Sequence, residues 1–278
     1  MKERFRYKKE MGQHFLFDPG LIEALADAAR VGKEDGVLEI GPGRGTLTTA
    51  LARRARRVIT VELDRTLLSD LEVTLALYPN VEIVQGDILR QDLAALVDRL
   101  GTPCRVAANL PYNITTPLME KLLHAHLPLS SVAVMVQKEM GERMLAQPGE
   151  DGYGPLSLLI GYFTAYEDAI DVPAACFTPP PKVDSTFLVL SMRDTPAVQV
   201  RDETLFFRVI RAAFAMRRKT ILNNLISGFS LSREEAASTL DATGIRPNTR
   251  AEEMPMQAFA ELADTLLARR AAKQGERM

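Results

Sequence analysis

Short apolar runs alternate with amphipathic segments of helix length through the first half of the chain. Gly36-Val37-Leu38-Glu39-Ile40 reads as a strand and 44–55 as a helix. The pair recurs as Val58 to Val61 then 64–77, Val81 to Val84 then 91–100, Arg105 to Ala108 then 116–125, and Val132 to Val136 then 138–147. Near-continuous apolar strands joined through helices specify a parallel sheet covered on both faces, since a parallel connection needs a crossover. After a break from Pro148 to Gly154, Leu156 to Ala165 has helical character. Two β-like runs, 166–172 and 183–191, flank Pro179-Pro180-Pro181 and are placed to finish the sheet as an antiparallel pair.

From about residue 195 the pattern changes to helical periodicity alone, over 203–214, 218–227, 232–242 and 255–270. Ser232 and Glu235 form a capping-box start, and Gly244 follows the end of that helix. The expected organisation is an N-terminal arm (1–17), an α/β domain (18–191), a linker (192–201) and a small all-helical domain (202–278).

Two loops at strand ends carry candidate chemistry. Gly41, Gly43 and Gly45 follow the first strand and open the first helix, but Thr46 stands where a dinucleotide fingerprint requires glycine. The turn therefore admits a ligand close to the backbone without building a pyrophosphate cradle. Glu62 ends the second strand and is placed to accept from two ribose hydroxyls. Asp87 follows the third and is placed to accept from an adenine amine, and Glu39 can face a cationic group. Taken singly, the glycines also suit a tight βα turn and either acid an N-cap. At successive carboxyl ends, where open α/β sheets bind ligands, they describe S-adenosylmethionine.

Asn109-Leu110-Pro111-Tyr112 ends the fourth strand in the same row. The Asn109 side-chain oxygen and the Leu110 carbonyl can both accept from one exocyclic amine, and Tyr112 can stack on its ring. A strand end followed by an Asn/Pro turn is the plainer reading of that tetrapeptide. Phe177, before the three prolines, is suited to stacking on a stiff loop or to a place in the core.

Composition narrows the class further. The chain has 278 residues, 46% hydrophobic and 25% charged, with a formal net charge of −2. Basic residues are local: Lys2, Arg4, Arg6, Lys8 and Lys9 at the start, and Arg208, Arg211, Arg217, Arg218 and Lys219 in one helical stretch. Such patches on a near-neutral protein suit a polyanion bound at one face, or else a solvated helix surface. Cys104 and Cys176 are far apart, without the spacing of a disulfide framework or a zinc site. The three histidines make no metal pair, so no metal is expected. A charged N-terminus lacks the apolar run of a signal peptide, and no stretch reaches the ~18 apolar residues of a membrane span. A cytoplasmic protein is expected.

With these residues assembled, the chain resembles the ribosomal RNA adenine N6,N6-dimethyltransferases, and most closely their bacterial small-subunit (dimethyladenosine transferase) branch. The resemblance rests on Gly12-Gln13-His14-Phe15-Leu16, the Glu39 to Gly45 loop, Val61 to Asp64, Gly86-Asp87, Asn109 to Tyr112, Gln137-Lys138-Glu139, Phe177 to Ser185 and Arg217 to Asn224. Each is weak alone and the ordered set is specific. Ala174 and the Met254-Pro255-Met256 start of the last helix depart mildly from the family pattern, away from the inferred site. The resemblance implies a Rossmann-like class I methyltransferase sheet with a helical C-terminal domain. It also implies S-adenosylmethionine contacts from His14, Leu16, Gly41, Glu62, Asp87 and Asn109. Asn109 and Leu110 would hold the target amine, with Tyr112 and Phe177 around the flipped adenine. The implied partner is 16S rRNA in the small subunit or its precursor, met by a monomer. The Arg217 to Asn224 signature argues against the large-subunit branch.

Overall fold

In the computed structural model, residues 13–111 and 114–275 are described, the last three of them by backbone alone. β2 (Gly36–Ile40) is buried at every position, with β3 (Arg57–Glu62) and β5 (Cys104–Asn109) paired to it in parallel on its two sides. β4 (Val81–Gln85) adds to β3, and β6 (Leu129–Gln137) adds to β5, also in parallel. β9 (Ser185–Met192) is antiparallel to β6, and β7 (Thr164–Val172) lies beyond it. The mixed sheet of seven strands runs β4-β3-β2-β5-β6-β9-β7. The two late strands do complete it, the later one inserted between β6 and β7.

The helices α2 (Thr46–Ala52), α3 (Leu68–Leu75), α4 (Leu93–Leu100) and α5 (Thr115–His124) follow β2 to β5 in turn, as the alternation predicts. The chain also has elements outside that alternation. α1 (Pro19–Ala28) starts where Asp18 accepts from the Leu21 N–H at 3.1 Å and Pro19 takes the first turn, where its missing N–H costs nothing. It buries Ile22, Leu25 and Ala26 against the sheet. β1 (Phe15–Leu16) and β8 (Phe177–Thr178) form a separate antiparallel pair, Phe15 opposite Thr178 and Leu16 opposite Phe177.

The chain divides into two compact units. One comprises the residues up to Gly141 together with Ala165–Met192, the other Glu142–Thr164 together with the residues from Arg193 onward. The first holds the sheet. Phe187 and Val189 of β9, Val37, Val58, Ala107 and Met135 from neighbouring strands, and Leu25 and Leu51 from α1 and α2 share one apolar cluster.

The second unit is helical: α7 (Pro155–Phe163), α8 (Glu203–Phe214), α9 (Ile221–Phe229), α10 (Arg233–Asp241) and α11 (Met256–Gly275). Tyr162 and Phe163 of α7 meet Phe206 and Phe207 of α8, with ring centroids 4.8–5.8 Å apart among the four. The predicted capping box is present: Ser232 Oγ accepts from the Glu235 N–H at 3.1 Å, and Glu235 accepts from the Ser232 N–H at 2.8 Å. Buried Asn224 donates to the carbonyls of Ala213 and Met216, at 2.5 and 3.4 Å. Ala213 lies in the last turn of α8, whose carbonyls lack a helical partner, and the Met216 carbonyl also accepts from the Lys219 N–H at 2.9 Å. Asn224 therefore holds the turn that carries Arg217, Arg218 and Lys219.

Phe187 is fully buried in the sheet cluster. Phe187→Ala is expected to lower the stability of the sheet unit by about 3–5 kcal/mol through lost burial and a residual cavity. The check is its urea transition, and an unshifted midpoint would show that the cluster does not depend on this ring.

Candidate active site

In an open parallel sheet the crevice forms where neighbouring strands send their chains in opposite directions. Here that point lies between β2 and β5, whose register sets Ile40 opposite Ala108. The next residues, Gly41 and Asn109, are consequently side by side. A Cβ on Gly41 would stand in contact with the Asn109 carbonyl oxygen, at 3.4 Å, and the backbone φ of +70° favours glycine there. A cavity opens on this edge, lined by residues from three strand ends and from the chain that precedes α1: His14 and Leu16, Glu39 and Gly41, Glu62, and Asn109 to Pro111.

Residues 13–16 close one side of the cavity. The Asn109 side-chain N–H donates to the His14 carbonyl at 3.2 Å, and the Thr46 hydroxyl reaches the Leu16 carbonyl at 3.4 Å. Gln13 donates to Asp64 at 2.8 Å. His14 Nδ1 lies 2.7 Å from the Pro179 carbonyl oxygen, which only accepts, so Nδ1 carries the proton of that bond. The Phe15 ring lies under the Arg44 guanidinium at 5.5 Å and fills the space beside Gly43, where a Cβ would stand 2.8 Å from the ring. Gly43 is thus required by a packed side chain as well as by its turn. No sequence pattern singles out the cluster Gln13, Phe15, Arg44 and Asp64. Its signal is present in the Gly12 to Leu16 motif, but its partners are 29 or more residues away.

The electrostatics are those of a buried acidic cavity. Glu39 is fully enclosed, and burial pushes its carboxyl up to about 7 against the opposing hydroxyls of Thr48 and Thr60, with Glu62 adding to the rise. Its Oε2 has no hydrogen-bond partner among the described residues. A buried carboxylate oxygen left unpaired is costly unless a ligand supplies the partner. Glu62 is also raised by burial, and its two oxygens accept from the Asp64 N–H at 2.7 Å and the Gly43 N–H at 3.2 Å. Each oxygen keeps acceptor capacity for a further donor.

The remaining candidates fall less uniformly. Leu110 is buried, with its N–H on the Met135 carbonyl at 3.3 Å, while the Pro111 carbonyl already accepts from the Ile114 N–H at 3.1 Å. Tyr112 lies outside the described residues. Asp87 stands beyond β4 on the same edge and is not among the described residues that line the cavity. Its Oδ1 accepts from the Leu89 N–H at 3.0 Å. Phe177 is buried in the sheet cluster beside Leu16, with its ring edge-on to His14 at 6.5 Å. In this conformation it presents no open face to a base. In the helical unit, Arg217 is not the acid-free cation that its local sequence suggests, for Asp151 and Glu252 approach it at 3.3 and 3.6 Å. Arg208 lies over the Phe229 ring at 4.9 Å, and Arg211, Arg218 and Lys219 are exposed. Among the described residues no helix is long and apolar enough to cross a membrane.

Comparison with known proteins bears on all of these residues at once. The sequence profile of the family "Ribosomal RNA adenine dimethylase" matches residues 4–267. Proteins named ribosomal RNA small subunit methyltransferase A from Bacillus mycoides and Bacillus anthracis are each 43% identical over 272 residues, 96% of this chain and 93% of theirs. Among solved structures, a dimethyladenosine transferase from Plasmodium falciparum superposes with a TM-score of 0.74 at 27% identity, over 90% of this chain and 96% of that one. A 23S rRNA methyltransferase, ErmE, gives 0.67 at 25% identity, over 91% and 99%. The sheet is accordingly the Rossmann-like sheet of class I methyltransferases, carried with a helical C-terminal region. The chain belongs to the ribosomal RNA adenine dimethylase family and is an rRNA adenine methyltransferase.

Proposed function

We propose that the cavity at the β2–β5 switch point binds S-adenosylmethionine and that Asn109 presents to it the N6 amine of an adenosine in 16S rRNA. The substrate of this reading is a pair of adjacent adenosines in the 3′-terminal hairpin, each dimethylated as the small subunit matures in the cytoplasm by a monomeric enzyme. The observation that carries it is the orientation of the Asn109 amide. One of its N–H groups donates to the His14 carbonyl, which supports Oδ1 as the end that would accept from an amine.

The donor set suits the cofactor. Glu62 has spare acceptor capacity for ribose hydroxyls, Asp87 can take the adenine amine, and the unpaired Oε2 of Glu39 offers an anion to the cationic end. Bound there, the cofactor supplies an electrophilic methyl group. The chain's own contribution is positioning and polarity. Adenine N6 is a poor nucleophile because its lone pair is delocalised. Acceptors at Asn109 Oδ1 and the Leu110 carbonyl would draw its hydrogens out of plane and localise that pair. The aminium product is acidic enough to lose its proton to water. Tyr112 and Phe177 would hold the extruded base, which for Phe177 requires its ring to leave the apolar cluster. Arg208, Arg211, Arg218 and Lys219 would track rRNA phosphates, and the basic residues before residue 13 would add to them. The support for a small-subunit substrate is the naming of relatives at 43% identity.

Asn109→Ala is expected to lower methyl transfer to unmethylated small subunits by roughly 10²–10³-fold while subunit binding persists. Equal turnover by the mutant would remove Asn109 from the mechanism, and label appearing only in 23S rRNA would overturn the substrate. Ionised Glu39 is the form that binds a cation, and burial pushes its carboxyl up to about 7. Affinity for S-adenosylmethionine should therefore fall as pH drops below that value, by up to about tenfold per unit. Glu39→Gln should bind more weakly at pH 8 and lose the slope, as calorimetric titration across pH 6–8 would reveal. Removing Arg218 and Lys219 together should flatten the salt dependence of subunit binding, by roughly one logarithmic unit of slope for each phosphate no longer neutralised. An unchanged slope would leave these cations off the RNA.

A further inference from the structure

Lys121 sits on α5 with Leu118, Met119 and Leu122 buried around it, and its ammonium is spent on one turn of another segment. Its Nζ donates to the carbonyls of Ile88, Leu89 and Gln91 at 3.2, 2.8 and 2.6 Å. An ammonium has three donors, and all three are accounted for. The segment it grips is a hydrogen-bonded turn after β4. The Arg90 and Gln91 N–H groups both reach the Asp87 carbonyl, at 2.9 and 3.1 Å, and Asp87 Oδ1 caps the Leu89 N–H. Gly86, at φ +157°, lets the chain fold back so closely that a Cβ there would run into the Gln91 side chain. The Ile88 carbonyl also accepts from the Gln91 N–H at 3.3 Å, and a turn this short leaves its last carbonyls open to a cation, whose charge-assisted hydrogen bonds are the stronger kind.

The residue at the front of this turn is Asp87. α5 follows directly from the segment that carries Asn109, so one half-buried side chain fixes the Asp87 turn to the helix behind the proposed catalytic amide. We infer that Lys121 is a positioning residue for the adenine of the cofactor, acting through Asp87. This inference rests on the cofactor reading above, in which Asp87 accepts from the adenine amine. Lys121 itself touches no ligand. It sets where the Asp87 carboxylate stands relative to the ribose acid Glu62, whose carbonyl accepts from the Gly86 N–H at 2.8 Å.

Two ligands that differ at a single group separate this role from a general contribution to stability. Full-length wild-type protein, Lys121→Met, Asp87→Ala and the double variant would be titrated calorimetrically with S-adenosylhomocysteine and with its 6-deaminated purine analogue, which has hydrogen in place of the adenine amine. Lys121→Met is expected to weaken S-adenosylhomocysteine by about tenfold, with less than about a twofold change for the deaminated analogue. In the Asp87→Ala background it should add nothing, because the two residues act as one unit. Lys121→Arg keeps the charge but not the tripod of donors, and should show a smaller, equally ligand-selective loss. It also serves if the methionine variant does not fold. Equal losses for both ligands, or losses that add to that of Asp87→Ala, would overturn the inference while leaving the cofactor reading intact. If Asp87→Ala binds S-adenosylhomocysteine as tightly as wild type, the reading of Asp87 fails and the inference with it.

Discussion

The parallel register that sets Ile40 of β2 opposite Ala108 of β5 is the constraint on which the site depends. It brings two chains to the same edge of the sheet at the one place where they diverge, one into the glycine loop and α2, the other into the Asn109 segment and α5. The two are close enough that a Cβ at position 41 would touch the Asn109 carbonyl. A slip of one residue would turn every side chain of β5 to the other face and carry Asn109 away from the cavity. The buried residues of β2, β5 and β6 hold that register, so the apolar core acts on function through alignment.

The second determinant is the way residues 13–16 are fastened. Their carbonyls take donors from Asn109 and Thr46, their backbone pairs with Phe177 and Thr178, and the His14 ring meets Pro179. The same short strand therefore touches the cofactor loop, the proposed catalytic amide and the proline loop. A change in its position would alter all three together. The segment whose His14 carbonyl takes the Asn109 N–H is thus also the one whose backbone pairs with Phe177.

Local pattern explains what the sequence could reveal. β2 begins and ends where its apolar run does, and the Ser232 capping box is built as its spacing implies, because both depend on neighbours in the chain. β5 and β6 extend past their apolar runs because pairing with β2, β9 and each other recruits residues such as Asn109 and Gln137 that no hydrophobic window includes. β1 and β8 are illegible for a related reason. They are two residues each, and their pairing spans more than 160 positions. Arg217 shows the same limit in electrostatics, since its acidic neighbours Asp151 and Glu252 come from other segments. α1 is the exception, because the Asp18-Pro19 signal and its apolar spacing are local and readable. The candidate residues His14, Leu16, Gly41, Glu62 and Asn109 do converge on one cavity, whereas Asp87 and Phe177 do not line it.

The charge of the cavity gives a reason for an amide at position 109. Glu39 and Glu62 are already raised by burial, and Glu39 is raised further by its neighbour. A third carboxylate on the same wall would face both desolvation and like-charge repulsion, and would hold a proton over much of the neutral range. In that state it would donate to the incoming amine where acceptance is needed, and when ionised it would compete with the amine for an electrophilic methyl group. An amide avoids both outcomes, because its oxygen accepts at every pH and is a weak nucleophile. Its one ambiguity is which end points inward, and the His14 carbonyl resolves it by taking the N–H. On the proposed reading, the acids of the cavity would then serve a cationic ligand while the reacting amine meets a neutral acceptor.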